Sequence, residues 1–206
     1  MIGGLLLMLV GGLVAVTSVF QAYTAAQASA QVERLSPLTV ASLADTRPEQ
    51  TVLIEGHISP STPIQFQHFV AYIRESKGKL GWSASETVTP PLRVDCADGT
   101  IEVVNQDYHL DGQTLAAIWQ PTTPFSNERF RGIVGGSPVV VIGHVVEVSN
   151  EIHIAANVIA IGHKAEYLAG QRAAATWDNN LAYGLLLLLL GTGTLLGYWQ
   201  QVRNAR

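Results

Sequence analysis

The run 138–148, PVVVIGHVVEV, the pair Ser149-Asn150 and the run 151–161, EIHIAANVIAI, decide how this chain folds. The first run is rich in Val and the second in Ile and Ala, and a turn-forming dipeptide separates them, so each reads as a strand. Further strands follow toward the N-terminus. In residues 51–59, TVLIEGHIS, Val52, Ile54, Gly56 and Ile58 alternate with Leu53, Glu55 and His57, the period of a half-buried strand, and Pro60 and Pro63 end it. In residues 67–76, QHFVAYIRES, Phe69, Ala71 and Ile73 share one face. Leu92, Val94 and Cys96 alternate with Arg93 and Asp95 up to the turn Ala97-Asp98-Gly99, and residues 100–104 resume the pattern, which makes a hairpin. Residues 77–89 read as a polar excursion carrying Trp82. Residues 111–120 have helical character and end before Pro121, and residues 167–175 read as a short helix.

This spacing predicts a mainly β domain of five or six short strands, a small barrel or sandwich, with a partly open five-stranded barrel of the OB type as the preferred architecture. Gly56 and Gly143, inside strand patterns, predict places where a strand bends or another backbone comes close.

Outside the domain the composition changes. Hydrophobic residues make up 48% of the 206 and charged residues only 14%, well below the quarter usual for soluble domains. No Asp, Glu, Lys or Arg precedes Glu33, and none lies between Asp178 and Arg203. Residues 2–20 are apolar over about 28 Å of helix, enough for a hydrocarbon core of about 30 Å. A cleavable leader ending at Ala28-Ser29-Ala30 is the competing reading, but no basic residue precedes the apolar run, so retention as an anchor is expected. The second run, 181–199, holds six consecutive leucines between Trp177 and Tyr183 on one side and Tyr198 and Trp199 on the other, an aromatic belt. Arg203 and Arg206 follow it and place both termini in the cytoplasm, with the domain on the non-cytoplasmic side. Gly193 and Gly197, and likewise Gly11 and Ala15, stand four residues apart and are the candidate helix-packing positions.

The succession VLIEGHISPSTPI, HFVAYIRES, a Trp-bearing insertion, PLRVDCADGTIEVV, GSPVVVIGHVVEV and IHIAANVIAIG resembles the GIDE domain. That domain occurs between two transmembrane helices in mitochondrial membrane-anchored ubiquitin ligases and in bacterial and plastid relatives. The resemblance implies a division into an N-terminal membrane helix at 2–26, a linker at 27–50, a GIDE-like β domain at 51–170, a juxtamembrane segment at 171–180, a C-terminal membrane helix at 181–199 and a short tail at 200–206. In the ligases a RING finger with several Cys and His zinc ligands follows the second helix. Cys96 is the only cysteine here, so ubiquitin ligase activity and contact with the ubiquitin machinery are not expected.

The residues offer little catalytic chemistry. His57, His144 and His153 fall on solvent-side phases of predicted strands, and three His side chains would suffice for a catalytic zinc if the strands brought them together. No HxH or HExxH spacing supports that, and histidine is ordinary on such faces. Asp95, Asp98 and Glu102 flank the hairpin, where an Asp beside Gly serves the backbone more often than catalysis. Ser59, Ser61 and Ser137 lack the setting of a nucleophile elbow, and residues 132–136 lack the Lys and Ser/Thr of a phosphate-binding loop. Cys96 sits in the apolar phase of its strand and reads as a buried, inert thiol. Trp82 and Phe125, in polar loops, are the candidate contacts with a partner or the membrane, whereas Trp119 reads as core cover.

The expected function is therefore that of a non-enzymatic, membrane-anchored accessory or scaffold protein, needing no cofactor. Its partners would be other integral membrane proteins, a second copy of itself, and the lipid bilayer. A metal-assisted hydrolase using the three histidines is the alternative. A nucleic-acid-binding OB-like module is a third reading, opposed by a net charge of −4 and the lack of a basic run.

Overall fold

The structure, a computed structural model, describes residues 27, 29–112, 114–121, 126–149, 151–176, 189 and 192. The described chain is mainly β. Residues 29–34 are helical, and the ordered elements that follow are α1 (Val40–Leu43), β1 (Thr51–Ile58), β2 (Phe69–Gly78), β3 (Gly81–Val88), β4 (Leu92–Cys96), β5 (Gly99–Val103), β6 (His109–Leu110), β7 (Ala117–Trp119), β8 (Glu128–Val134), β9 (Pro138–Val148), β10 (Glu151–Ile161) and α2 (Lys164–Thr176).

The chain divides into two compact units, one of which comprises residues 32–169 and holds every strand among the described residues. Within it the strands form two sheets. In the first, β1 pairs antiparallel with both β4 and β9, β4 with β5, and β9 with β10, while β6 lies along β10. A parallel pairing of β5 with β10 at Val103 and Ile154 then joins the ends, so that β1, β4, β5, β10 and β9 form a closed ring. The second sheet runs β3, β2, β8, β7, all antiparallel.

Alternation decides what fills the ring. Val52 and Ile54 of β1, Val94 of β4, Ile101 and Val103 of β5, Val139, Val141 and Val145 of β9, and Ile154 and Ile159 of β10 are all buried in one cluster. Ile154 and Ile159 are five residues apart, an odd spacing that strict alternation would place on opposite faces. A register shift between Ala156 and Val158 restores the phase. The same cluster continues to Val70 and Ala71 of β2 and Ile133 of β8, which is how the second sheet shares the core of the first.

The wall made by β1 and β9 is covered on its outer face as well. Leu53, Val140 and Ile142 form a second cluster with Val32 and Leu168, against which Leu35 and Tyr167 pack. Leu53 is therefore fully buried, where simple alternation predicts a solvent-facing residue. Its cover comes from the segments on either side of the strands in sequence.

Two further expectations are corrected. Residues 77–89 are not a loop excursion: β3 forms a hairpin with β2 from Gly78 and Gly81 back to Tyr72 and Val88. Residues 111–120 hold β7 rather than a helix, paired with β8, a strand that the sequence reading passed over. Within residues 27–50, Leu38 N–H donates to Leu53 O at 2.7 Å and Thr39 caps α1. Among the described residues no helix is long and apolar enough to cross a membrane. The first charge-free run, and the second apart from Leu189 and Thr192, lie outside the described residues. So do Gly11, Ala15, Gly193, Gly197 and Phe125.

Candidate functional site

Register alone separates the three strand histidines. Thr51 lies opposite His144, and His57 lies opposite Pro138, so the two histidines stand at opposite ends of the β1–β9 pairing. Six residues of strand put them about 20 Å apart. Leu53 and Ile142, beneath the cover of Val32 and Leu168, lie between them. His153 is opposite Val146 and so is a diagonal neighbour of His144 alone, and its Nε2 faces Glu151 at 3.6 Å. Among the described residues no group of three His, Cys, Asp or Glu side chains is placed to hold a metal ion.

The carboxylates of the β4–β5 hairpin have structural partners. Asp95 accepts from the Thr100 hydroxyl at 2.7 Å, and Glu102 accepts from Arg93 Nε at 2.9 Å. Asp98 accepts from the backbone N–H of Ala41 at 3.0 Å, at the start of α1, and this bond holds its carboxyl below the usual Asp range. Burial, together with Asp98 and Asp95, pushes the Cys96 thiol up and away from the reactive thiolate. Cys96 lines a shallow cleft of about 400 Å³ with Glu55, His57, Asp95 and His163, in which His163 Nδ1 and Glu55 Oε1 are 2.7 Å apart. A second groove, about 410 Å³, is lined by Ser61, Thr62, Pro90, Arg93 and Glu102.

The two tryptophans singled out from the sequence fall in different settings. Trp119 joins Phe66, Tyr72 and Phe130 in a ring cluster on one face of the second sheet, with Phe66 and Phe130 stacked at 4.4 Å. Trp82, near the turn of the β2–β3 hairpin, is half-buried beneath the Arg129 guanidinium at 4.5 Å, and Lys77 Nζ stands 5.9 Å from the same ring.

A contact between the ends of the domain was not anticipated. Lys164 Nζ donates to Glu33 O at 2.9 Å and to Leu35 O at 2.6 Å. These carbonyls close the helical residues 29–34, where the partial charge is negative and a cation is favourable. The chain therefore enters and leaves the strand domain at adjacent points. One sequence signal for this existed. Lys164 opens α2, the end of a helix at which a positive charge is disfavoured, so its charge is used elsewhere. His163 and Glu166 supply the capping there, with His163 N–H donating to the Glu166 carboxylate at 3.0 Å.

No family model matches the chain, and no curated protein matches it. Among solved structures it is similar to one described as the hypothetical protein ygiW from E. coli, at 17% identity over 62% of this chain and 90% of that one, with a TM-score of 0.32. At that score the likeness carries no argument about function.

Proposed function

We propose that this protein is a membrane-anchored accessory or scaffold protein whose β domain, an OB-type barrel of the GIDE kind, is held at a bilayer by an apolar helix at each end. In this reading both termini are cytoplasmic and the domain is on the other side. It works by binding other integral membrane proteins or a second copy of itself, without catalysis or cofactor. The five-strand ring, with its parallel closing pair between β5 and β10, supports the barrel assignment.

The observation that carries the proposal is the contact made by Lys164. A domain anchored twice to one membrane must return its chain to the side from which it came. Here the segments leading from the first charge-free run and toward the second are tied together at the domain's edge by Lys164, and Val32 and Leu168 belong to one cluster on the β1–β9 wall. Two anchors raise the domain's effective concentration next to another membrane protein, so contacts of modest strength suffice. Gly193 and Gly197 would let a neighbouring helix backbone approach closely.

Extraction and topology test this. The protein should stay in the pellet after alkaline carbonate treatment. In a Cys96→Ser background, Gln31→Cys and Asn204→Cys should label from opposite faces of sealed vesicles. Release by carbonate, or labelling of both positions from one face, refutes the two-span arrangement.

A further inference from the structure

The β2–β3 hairpin carries its turn far from the core. Phe69, Val70 and Ala71 at the start of β2 are buried, Ile73 is half-buried, and every residue from Lys77 to Thr87 is exposed except Trp82. From Phe69 to Gly78 the strand spans about 30 Å. The turn, Lys79-Leu80, closes on Gly81, whose φ of +119° suits a residue without a side chain. At its apex Leu80 is 105% exposed, with its whole side chain in water.

A lone exposed leucine is ordinary. The surroundings of this one are not. Trp82 lies two residues further along, and between Ser76 and Ser85 the only charged side chains are Lys77 and Lys79. Arg129 of β8 adds a guanidinium over the Trp82 ring. Glu75, lower on the arm, is already engaged by Arg129 and by Arg131. The apex thus combines an apolar tip, an amphipathic ring and a local excess of positive charge on a chain whose net charge is −4.

We propose that this apex docks on an anionic bilayer surface. Leu80 enters the acyl boundary, Trp82 lies at headgroup level, and Lys77 and Lys79 face the acidic headgroups, a division of roles that matches the layered polarity of the interface. Charge complementarity selects this occupant, because the rest of the acidic chain is repelled by the surface that attracts the arm. The proposal rests on the double anchorage alone and not on the side of the membrane given to the domain. One leucine and two lysines hold a protein only weakly, and anchorage supplies the effective concentration they need.

The test places the full-length chain in nanodiscs of phosphatidylcholine, or of phosphatidylcholine and phosphatidylserine at about 7:3. An environment-sensitive dye sits on Ser83→Cys in a Cys96→Ser background. In the anionic discs the dye should emit at shorter wavelength and be quenched by nitroxide-bearing lipids. Both signals should shrink in phosphatidylcholine alone, weaken with added salt, and vanish in Leu80→Asp and in the Lys77→Glu/Lys79→Glu variant, with circular dichroism confirming that each variant folds. A chain that co-elutes with discs while its dye reports water in both lipids, or whose dye signal survives Leu80→Asp, overturns the docking and leaves the anchorage standing. A chain that does not co-elute, with its dye in water, overturns both.

Discussion

At the scale of single residues, Tyr108 shows how burial writes a pH dependence into the domain. Its ring is almost fully buried in the core cluster, and its hydroxyl donates to Pro90 O at 2.7 Å. Burial raises its pKa far above the ordinary value of 10.0, since a phenolate there would lose its solvation. The folded state therefore keeps the proton at a pH where the unfolded chain gives it up. Stability is complete below about pH 10 and falls by about 1.4 kcal/mol per pH unit above it, because the unfolded state then binds fewer protons. Urea titrations of the domain between pH 8 and 12 (approximate bounds set by the ordinary Tyr pKa) should show this slope, and Tyr108→Phe should flatten it while costing about 1 kcal/mol at neutral pH for the lost hydrogen bond. Tyr72 and Tyr167 are raised too, chiefly by burial, so a remainder of the slope should persist in the variant. An unchanged slope in Tyr108→Phe would show that another group governs alkaline unfolding. Nothing in the sequence around Tyr108 marks it, because its burial depends on strands distant in the chain.

At the scale of elements, the seam between β5 and β10 is the narrowest part of the ring. The strands pair at one position, Val103 with Ile154, extended by Val104 N–H donating to Ile154 O at 3.0 Å. Asn105 continues the seam with its side chain. Its Nδ2 donates to Ala156 O and its Oδ1 accepts from Ala156 N–H, each at 2.8 Å, so the amide stands in for a backbone peptide group beside the bulge. Replacing Asn105 by Leu leaves a donor and an acceptor of Ala156 without these partners, and should cost roughly 2–4 kcal/mol. Urea denaturation measures the loss, and a change under about 0.5 kcal/mol, the range of ordinary surface substitutions, would mean that the seam closes without the amide. Elements of this kind explain what could be read in advance. The ring strands were legible because one face of each is apolar, as in Val52 and Ile54 or Ile101 and Val103. Gly143 was legible as a close approach, and a Cβ there would lie 2.8 Å from Ala156 Cα. β3 was not legible, since Ser83, Ala84, Ser85 and Thr87 are exposed on both faces and leave no alternation to detect. In residues 111–120, Leu115 is buried by tertiary packing while Ile118 stays exposed, a pattern that neither helical nor strand period captures. The separation of His57 from His144 depends on register, which alternation within one strand does not contain.

At the scale of the whole molecule, the question is whether the two ends of the strand domain act as one support or merely lie side by side. Lys164 and the carbonyls of Glu33 and Leu35 are about 130 residues apart in sequence, so joining them closes a loop around all ten described strands. The ring does not depend on this closure, because its core residues lie on the other side of the β1–β9 wall. Lys164→Met keeps the apolar stem and removes the ammonium. Its two charge-assisted bonds are partly open to water, so the expected loss is about 1–1.5 kcal/mol, confined to opening of the cover. Amide hydrogen exchange should then accelerate about tenfold in residues 29–35 and 164–169, since 1.4 kcal/mol corresponds to that factor when exchange follows local opening. The amides of β4, β5 and β10 should keep their rates. Lys164→Arg, which restores a donor of similar reach, should recover much of the protection. Uniform acceleration across the domain would instead make the tie part of the global fold, whereas no acceleration anywhere would leave Val32, Leu35, Tyr167 and Leu168 as the whole of what holds the ends together, with the ammonium only an incidental neighbour of their backbone.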